Sequence, residues 1–307
     1  MLSFKKLSIG PFLLDQAVLV DVRSPAEFLH ARIPGAVNLP LFTDEERSIV
    51  GTCYKQQGQR EAIALGVQLV GPKLYSFLED LKRFPHSPFR VYCWRGGMRS
   101  SFMAWFFQFT GAVASSLDGG YKVFRRHVSQ ILTKPYQFQV LGGFTGSGKT
   151  EYLAKLAANG HQIIDLEAIA IHRGSAFGAV GSQPSNEQFE NELAMKLSCL
   201  DPEKPIWIED ESRMIGNCMI PRPIFERMQA APITLLEASL DERIQRIVMM
   251  YGQEDARGLI AAVQKIQKKL GLQRANLVIS LIQEGDLYNA VSHLLEYYDK
   301  AYAFSMS

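Results

Sequence analysis

The chain is poor in cysteine, with only Cys53, Cys93, Cys199 and Cys218 in 307 residues. No two stand as C-x-x-C and no histidine cluster accompanies them, which argues against a zinc site or a disulfide framework and fits a reducing compartment. Long apolar runs are missing too: none reaches the roughly 18 residues a membrane helix needs. The opening MLSFKKLSIGPFLL lacks the apolar core and small-residue cleavage site of a secretory signal. The expectation is a soluble, cytoplasmic protein with no membrane partner. Internal repeats and low-complexity tracts are absent. Strong charge of one sign is absent as well. A formal net charge of +2 neither demands nor excludes a nucleic-acid partner, because a local patch matters more than the total. Basic residues do bunch, Arg95 with Arg99 and Lys122 with Arg125 and Arg126.

What is present is an ordinary globular composition, 47% apolar and 21% charged, in a length that suggests two domains. AVLVDVR (17–23) reads as a buried strand ending in Asp21. SPAEFLHA then reads as a short helix with Ser24 as N-cap, Pro25 in the first turn and Glu27 at the box position. GAVNLP is a short strand. Residues 44–84 read as largely helical, with breaks expected at Gly51, Gly58, Gly66 and Gly71. FRVYC (89–93) is a strand and RSSFMAWFFQFTG a helix stopped by Gly111. VASSLDGGYKVFRRHVSQIL gives a strand, a glycine turn and a helix. TKPYQ (133–137) breaks the pattern and reads as a linker. This places one domain at 1–134 and a second at 135–307. In the second, strands are expected at 138–143, in HQIIDLE, at 204–211 and at 231–239, with helices between them and a largely helical tail from Asp255. Alternating strands and helices imply a parallel α/β sheet in each half, with ligands at the carboxyl ends of the strands.

Residues 143–150, GFTGSGKT, form a complete G-x-x-x-x-G-K-[ST] after an apolar strand and before a helix. Gly143, Gly146 and Gly148 permit the tight backbone path, and successive N–H groups, that of Ser147 included, then face one concave nest. The helix N-terminus adds partial positive charge. Lys149 reaches outer phosphates and Thr150 is placed to ligate Mg²⁺. Such a nest recognises a di- or triphosphate without implying hydrolysis. The strand 204–211 ends in Glu209, Asp210 and Glu211, any of which is a candidate for holding Mg²⁺ through water, with Asp165 as a rival. A solvated acidic strand end is the plain alternative. Arg243 and Arg246 lie at helical spacing and read equally as a phosphate clamp or a solvated face.

Cys93 ends a strand, WRGGMR forms a loop, and Ser100 starts a helix. Backbone N–H groups, a helix N-terminus, Arg95 and Arg99 would all favour a charged sulfur there, as a nucleophilic cysteine needs. Cys199 and Cys218 lack such surroundings and read as core residues. Cys53 reads as a packing residue, with a second-thiol role as the weaker alternative. Arg173 in HRGSAFG (172–178) and Arg213 in EDESR are candidates for phosphate or RNA contact, as is Arg126; a surface turn is the plain alternative for the first two.

DVRSPAEF (21–28), ARIPGAVNLP (31–40), the Cys93 loop and DGGYKVFRR (118–126) together resemble a rhodanese domain, whose loop cysteine carries a persulfide. A rhodanese-like domain with a parallel sheet, followed by a P-loop NTPase-like parallel α/β domain, resembles the tRNA 2-selenouridine synthases. Runs such as VGTCYKQQGQREAIALG (50–66), YCWRGGMRSS (92–101), GGFTGSGKT (142–150), DLEAIAIHRGSAFG (165–178) and WIEDESRMIG (207–216) carry that resemblance over nearly the whole chain. It implies an enzyme that geranylates wobble 2-thiouridine of lysine, glutamate and glutamine tRNAs with geranyl diphosphate. Selenium from selenophosphate, the product of selenophosphate synthetase, then replaces the geranylated sulfur. It also implies a selanyl-cysteine on Cys93, no tightly bound cofactor, and a chain continuing past a YYDP-like stretch, where this one reads YYDKAYAFSMS. A monomer is expected. An apolar groove for the geranyl tail is sought among Trp94, Met98, Trp105, Phe106 and Phe107, though a helix core is the commoner fate of such a run. Two other readings stand beside this one: an ATP-dependent tRNA sulfurtransferase using a Cys93 persulfide, and a non-catalytic sensing module joined to a nucleotide-gated one.

Overall fold

The computed structural model describes residues 5–14, 17–84, 87–172, 182–251 and 256–306, with side chains as far as 300. The chain divides into two compact units, residues 1–131 with 190–195, and residues 132–189 with 196–307.

The first unit runs β1 (Lys5–Leu7), α1 (Ile9–Leu13), β2 (Val18–Asp21), α2 (Pro25–His30), β3 (Val37–Asn38), α3 (Asp44–Gln56), α4 (Gln59–Val70), α5 (Leu74–Leu81), β4 (Phe89–Tyr92), α6 (Met98–Phe109), β5 (Ala114–Leu117) and α7 (Gly120–Leu132). Its five strands lie in the order β1-β5-β4-β2-β3, every pair parallel. The central strand β4, FRVY, is buried at all four positions, as expected of a parallel strand covered on both faces. Val20, Val91, Met103 and Phe107 are fully buried in the core around it. The N-terminus of α2 forms as its sequence specifies: the Ser24 N–H donates to Glu27 Oε2 at 3.1 Å.

Two of the four expected glycine breaks are real. Gly58 and Gly71 flank α4, whereas Gly51 sits inside α3 and Gly66 inside α4. Gly66 is there for packing, since a Cβ at that position would lie 3.4 Å from the Phe42 ring. Strand β1 was not anticipated; KKL carries no alternating apolar pattern and is held by its pairing with β5.

The second unit runs β6 (Phe138–Gly142), α8 (Lys149–Ala158), β7 (Gln162–Ile164), α9 (Leu166–Ala170), α10 (Asn186–Ser198), β8 (Ile206–Glu209), β9 (Met214–Ile215), β10 (Cys218–Met219), α11 (Arg222–Gln229), β11 (Ile233–Leu235), α12 (Leu240–Tyr251), α13 (Ala256–Leu270), α14 (Leu272–Gln283) and α15 (Leu287–Met306). Residues 190–195 of α10 group with the first unit. The four-stranded sheet is parallel in the order β11-β6-β8-β7. A small antiparallel pair, β9 with β10, stands apart from it and was not expected. Helices α12 to α15 share an apolar core that includes Ile244, Val263, Val278 and Leu294. Cys218 is buried as expected, but Cys199 at the end of α10 is exposed, because its helix closes at the surface. Among the described residues no helix is long and apolar enough to cross a membrane.

Candidate active sites

Cys93 follows β4 at the carboxyl end of the first sheet, where an open parallel sheet presents ligands. The residue is 3% exposed and its Sγ lies 3.2 Å from Ser100 Oγ, in the first turn of α6. The loop backbone is clamped by the start of α7: Tyr121 N donates to the Cys93 carbonyl at 2.8 Å, and Lys122 N to that of Trp94 at 3.0 Å. Gly120 is required for this approach. Its φ is +60°, and a Cβ on it would lie 2.3 Å from the Cys93 carbonyl oxygen.

The two arginines of the loop are placed differently. Arg95 is exposed. Arg99 is partly buried and its Nη1 lies 3.1 Å from Glu27 Oε2, so its charge is already matched. Burial alone would raise the Glu27 carboxyl, yet Arg99 and the Ser24 N–H hold it below its ordinary value. Asp21 and Arg23 form a buried ion pair beneath the loop, with Arg23 3.9 Å above the Tyr121 ring. Of the aromatic run after Cys93, Phe106 and Phe107 are core residues, while Trp94, Met98 and Trp105 are exposed.

In the second unit, β6 leads through GFTGSGKT into α8 as the motif requires. Lys149 Nζ crosses the loop to the Gly143 carbonyl at 2.8 Å. Gly146 has φ +80°, and a Cβ on it would come 3.0 Å from the Arg243 carbonyl oxygen. Gly148, in a left-handed conformation, precedes α8 as its N-cap. Ser147 Oγ is buried without a partner. Neither arginine of α12 is a solvated face residue. Arg243 is 4% exposed, forms a double hydrogen bond to Asp299 at 2.6 and 3.0 Å, and donates to the Thr145 carbonyl at 2.9 Å. Arg246 donates to the Gly146 carbonyl at 2.7 Å.

Facing the loop are three carboxylates, Glu167, Glu209 and Glu211, with ligand oxygens all within 4.8 Å of one another. Side chains alternate along an extended strand, so Glu209 and Glu211 converge while the intervening Asp210 does not join them. Asp165 is spent otherwise: its Oδ1 accepts from Ala168 N at 2.8 Å and caps α9. Glu167, which the sequence alone did not single out, takes the place expected of Asp165. Burial pushes the Glu209 carboxyl up to about 7, helped by Glu167 and opposed by Lys149 and the Thr150 hydroxyl. Burial likewise raises Glu211 and Glu167. Glu209 is 1% exposed and its Oε1 has no hydrogen-bond partner.

The P-loop and these acids line a cavity of about 340 Å³ together with Ile247, Met250 and Tyr251 of α12 and Val291, Leu294, Leu295 and Tyr298 of α15; α12 packs directly on the loop, where a Cβ on Gly146 would lie 2.8 Å from Ile247. None of Trp94, Met98, Trp105, Phe106 and Phe107 lines this cavity, whose apolar lining comes from the P-loop unit itself. Arg126 and Arg213 are exposed, the latter at the base of the β9–β10 pair, and Arg173 lies outside the described residues.

A cysteine loop at the end of one parallel sheet and a P-loop at the end of another define a rhodanese-like unit and a P-loop unit in one chain. Residues 12–127 match the rhodanese-like domain family, and residues 136–307 match the family described as tRNA 2-selenouridine synthase AAA domain. The chain is 38% identical to a tRNA 2-selenouridine synthase of Pseudomonas fluorescens over 95% of its own length and 89% of the relative's. It is 36% identical to the one from Aeromonas salmonicida, over 95% and 88%, and 36% identical to that of Marinobacter nauticus, over 96% and 89%. The chain belongs to the tRNA 2-selenouridine synthase family, a family of enzymes.

Proposed function

We propose that this enzyme converts the wobble 2-thiouridine of tRNA to 2-selenouridine through an S-geranyl intermediate, with the P-loop cavity serving the first step and Cys93 the second. The observation that carries this reading is a cavity whose lining combines the phosphate nest of the P-loop with apolar side chains of α12 and α15. A diphosphate ester of a short apolar alcohol has that same combination.

In the first step the thiocarbonyl sulfur attacks C1 of geranyl diphosphate. The C–S bond forms, the C1–O bond breaks, diphosphate leaves with the electron pair, and the uracil N3 proton is lost. The loop N–H groups, Lys149, Arg246 and the unpartnered Ser147 hydroxyl are the groups that would take up the departing charge. The residues also fit a divalent cation. Thr150 is hydrogen-bonded to Glu209, whose buried Oε1 is otherwise unpartnered, and Glu167 and Glu211 stand beside it. A Mg²⁺ ion held by Thr150 and Glu209 would supply charge neutralisation of the diphosphate.

Alkylation turns a thiocarbonyl into a thioether-like leaving group. In the second step the selenium of selenophosphate attacks C2: the C2–Se bond forms, the C2–S bond breaks, geranylthiolate leaves and takes up a proton, and water then cleaves the Se–P bond to release phosphate. Cys93 would handle selenium originating in selenophosphate, which a partner synthetase supplies. Its place at a strand end, against the first turn of α6 and beside Ser100, supports that assignment.

The test is incubation of the protein with thiolated tRNA, geranyl diphosphate and selenophosphate, read by nucleoside mass spectrometry. Wild-type protein is expected to give the geranylated and then the selenated nucleoside. Lys149→Ala should lose geranylation on the order of 100-fold yet still selenate pre-geranylated tRNA. Cys93→Ala should geranylate and fail to selenate. Selenation intact in Cys93→Ala would end the proposed division of labour.

A further inference from the structure

We infer that Trp94 is the stacking platform on which a nucleobase rests at the Cys93 centre. The inference depends on the reading that a tRNA uridine is presented there. Trp94 is the residue next to the cysteine, and 39% of it is exposed. A large aromatic at a loop tip normally pays an ordering cost when it binds. This one is ordered in advance. Its carbonyl is held by Lys122 N at 3.0 Å, and its ring leans on Tyr121 with centroids 5.6 Å apart. Tyr121 is fully buried, stacks on Tyr92 with an interplanar angle of 21°, and carries the Arg23 guanidinium 3.9 Å from its centroid. Arg23 in turn is pinned to Asp21 and to the Ala31 carbonyl, both at 2.6 Å. The result is a chain of aromatic and cation–π contacts built up from the core, and its outermost member, Trp94, is partly exposed and next in the chain to Cys93.

The surroundings specify the kind of ligand. Arg95 and Lys122, both exposed, flank Trp94 in the loop and in α7. An aromatic face rimmed by cations is the arrangement that receives a splayed base with its phosphates. An aliphatic chain would gain nothing from the two charges.

The experiment uses the full chain with Trp105→Phe and Trp207→Phe, which leaves Trp94 as the sole tryptophan. The probe is a synthetic anticodon stem-loop with 2-thiouridine at the wobble position, compared with the same loop abasic there. Trp94 emission should be quenched by the first and unaffected by the second. In otherwise wild-type protein, Trp94→Phe should keep stem-loop affinity within a few-fold. Trp94→Leu, apolar but without a π-face, should weaken it on the order of 10-fold or more, with geranyl diphosphate binding unchanged. Equal quenching by both loops, or Trp94→Leu binding as wild type, would overturn the inference. The quenching measurement needs no change at Trp94, so it decides even if Trp94→Leu fails to fold. Base-dependent quenching by a protein that does not selenate would leave the platform standing and remove only the reading of the reaction.

Discussion

Replacing Glu209 by Gln should make the second unit more stable at pH 8 and leave it nearly unchanged near pH 4.5. The carboxyl is 1% exposed, at the end of β8 beside two other glutamates, and burial pushes it up from 4.5 to about 7. Between those two values the folded protein holds a proton that the unfolded chain releases. Stability therefore falls as pH rises through that window: the contribution is complete below about 4.5 and lost above about 7. A shift of that size corresponds to about 3 kcal/mol. Gln at the same position keeps the shape and never ionises, so it escapes the loss and also removes one like charge from Glu167 and Glu211. Urea unfolding would be followed by Trp207 fluorescence in a Trp94→Phe, Trp105→Phe background, so that the signal comes from β8. The wild-type midpoint should drop between pH 5 and 8 while that of Glu209→Gln stays flatter. Mg²⁺ should recover part of the wild-type loss at pH 8 and do less for the variant, because a ligand that binds only the folded state stabilises it. If the two proteins run in parallel across the pH range, Glu209 does not titrate as its burial requires.

Three further outcomes follow from the geometry. Gly120→Ala, with a Cβ 2.3 Å from the Cys93 carbonyl at φ +60°, should destabilise the first unit by about 3 kcal/mol. It should also alter the rate of Cys93 alkylation by iodoacetamide, while pyrophosphate binding stays unchanged. Arg243→Met breaks a partly buried pair with Asp299 and frees the Thr145 carbonyl; a loss of about 2–4 kcal/mol is expected by urea unfolding, with weaker pyrophosphate binding by calorimetry. Met250→Gln alters the apolar lining at a position 46% exposed, sparing the core. Geranyl thiodiphosphate should bind about 5-fold more weakly, and inorganic pyrophosphate as before.

Both candidate centres were legible because each is written in consecutive residues. GFTGSGKT and YCWRGGMRSS need only a strand before and a helix after, and the alternation of apolar runs supplies both. The parallel sheets follow from the same alternation. What was not legible depends on distance along the chain. Nothing in DLEAIA distinguishes Glu167 from Asp165 until β7 is set beside β8 and one side chain caps a helix while the other meets Glu209. Arg243 looks like a surface residue of an amphipathic helix until Asp299, 56 positions later, is packed against it. The apolar residues that α15 adds to the cavity lie about 145 residues beyond the loop, and they read as ordinary helix core. Exposed Trp94 and buried Phe107 belong to one aromatic-rich stretch, and what buries Phe107 is the packing of α6 on β4, where its ring meets Phe89.

The apolar lining of the cavity bears on the choice between a prenyl and a nucleoside ligand. A P-loop alone favours neither, because its amides and Lys149 recognise only phosphate. A nucleoside offers ring nitrogens and sugar hydroxyls, and each one buried without a partner costs binding energy. The lining that α12 and α15 contribute is mainly aliphatic, at Ile247, Met250, Val291, Leu294 and Leu295, with the phenols of Tyr251 and Tyr298 among it, so an isoprenoid finds more contact there than the edge of a base finds partners. The discriminating measurement is competition: geranyl thiodiphosphate should displace pyrophosphate more effectively than ADP does, because its tail gains more from that lining. A tighter grip on ADP would mean that the cavity is lined for a nucleoside after all, and the geranylation step would then have no site in this unit.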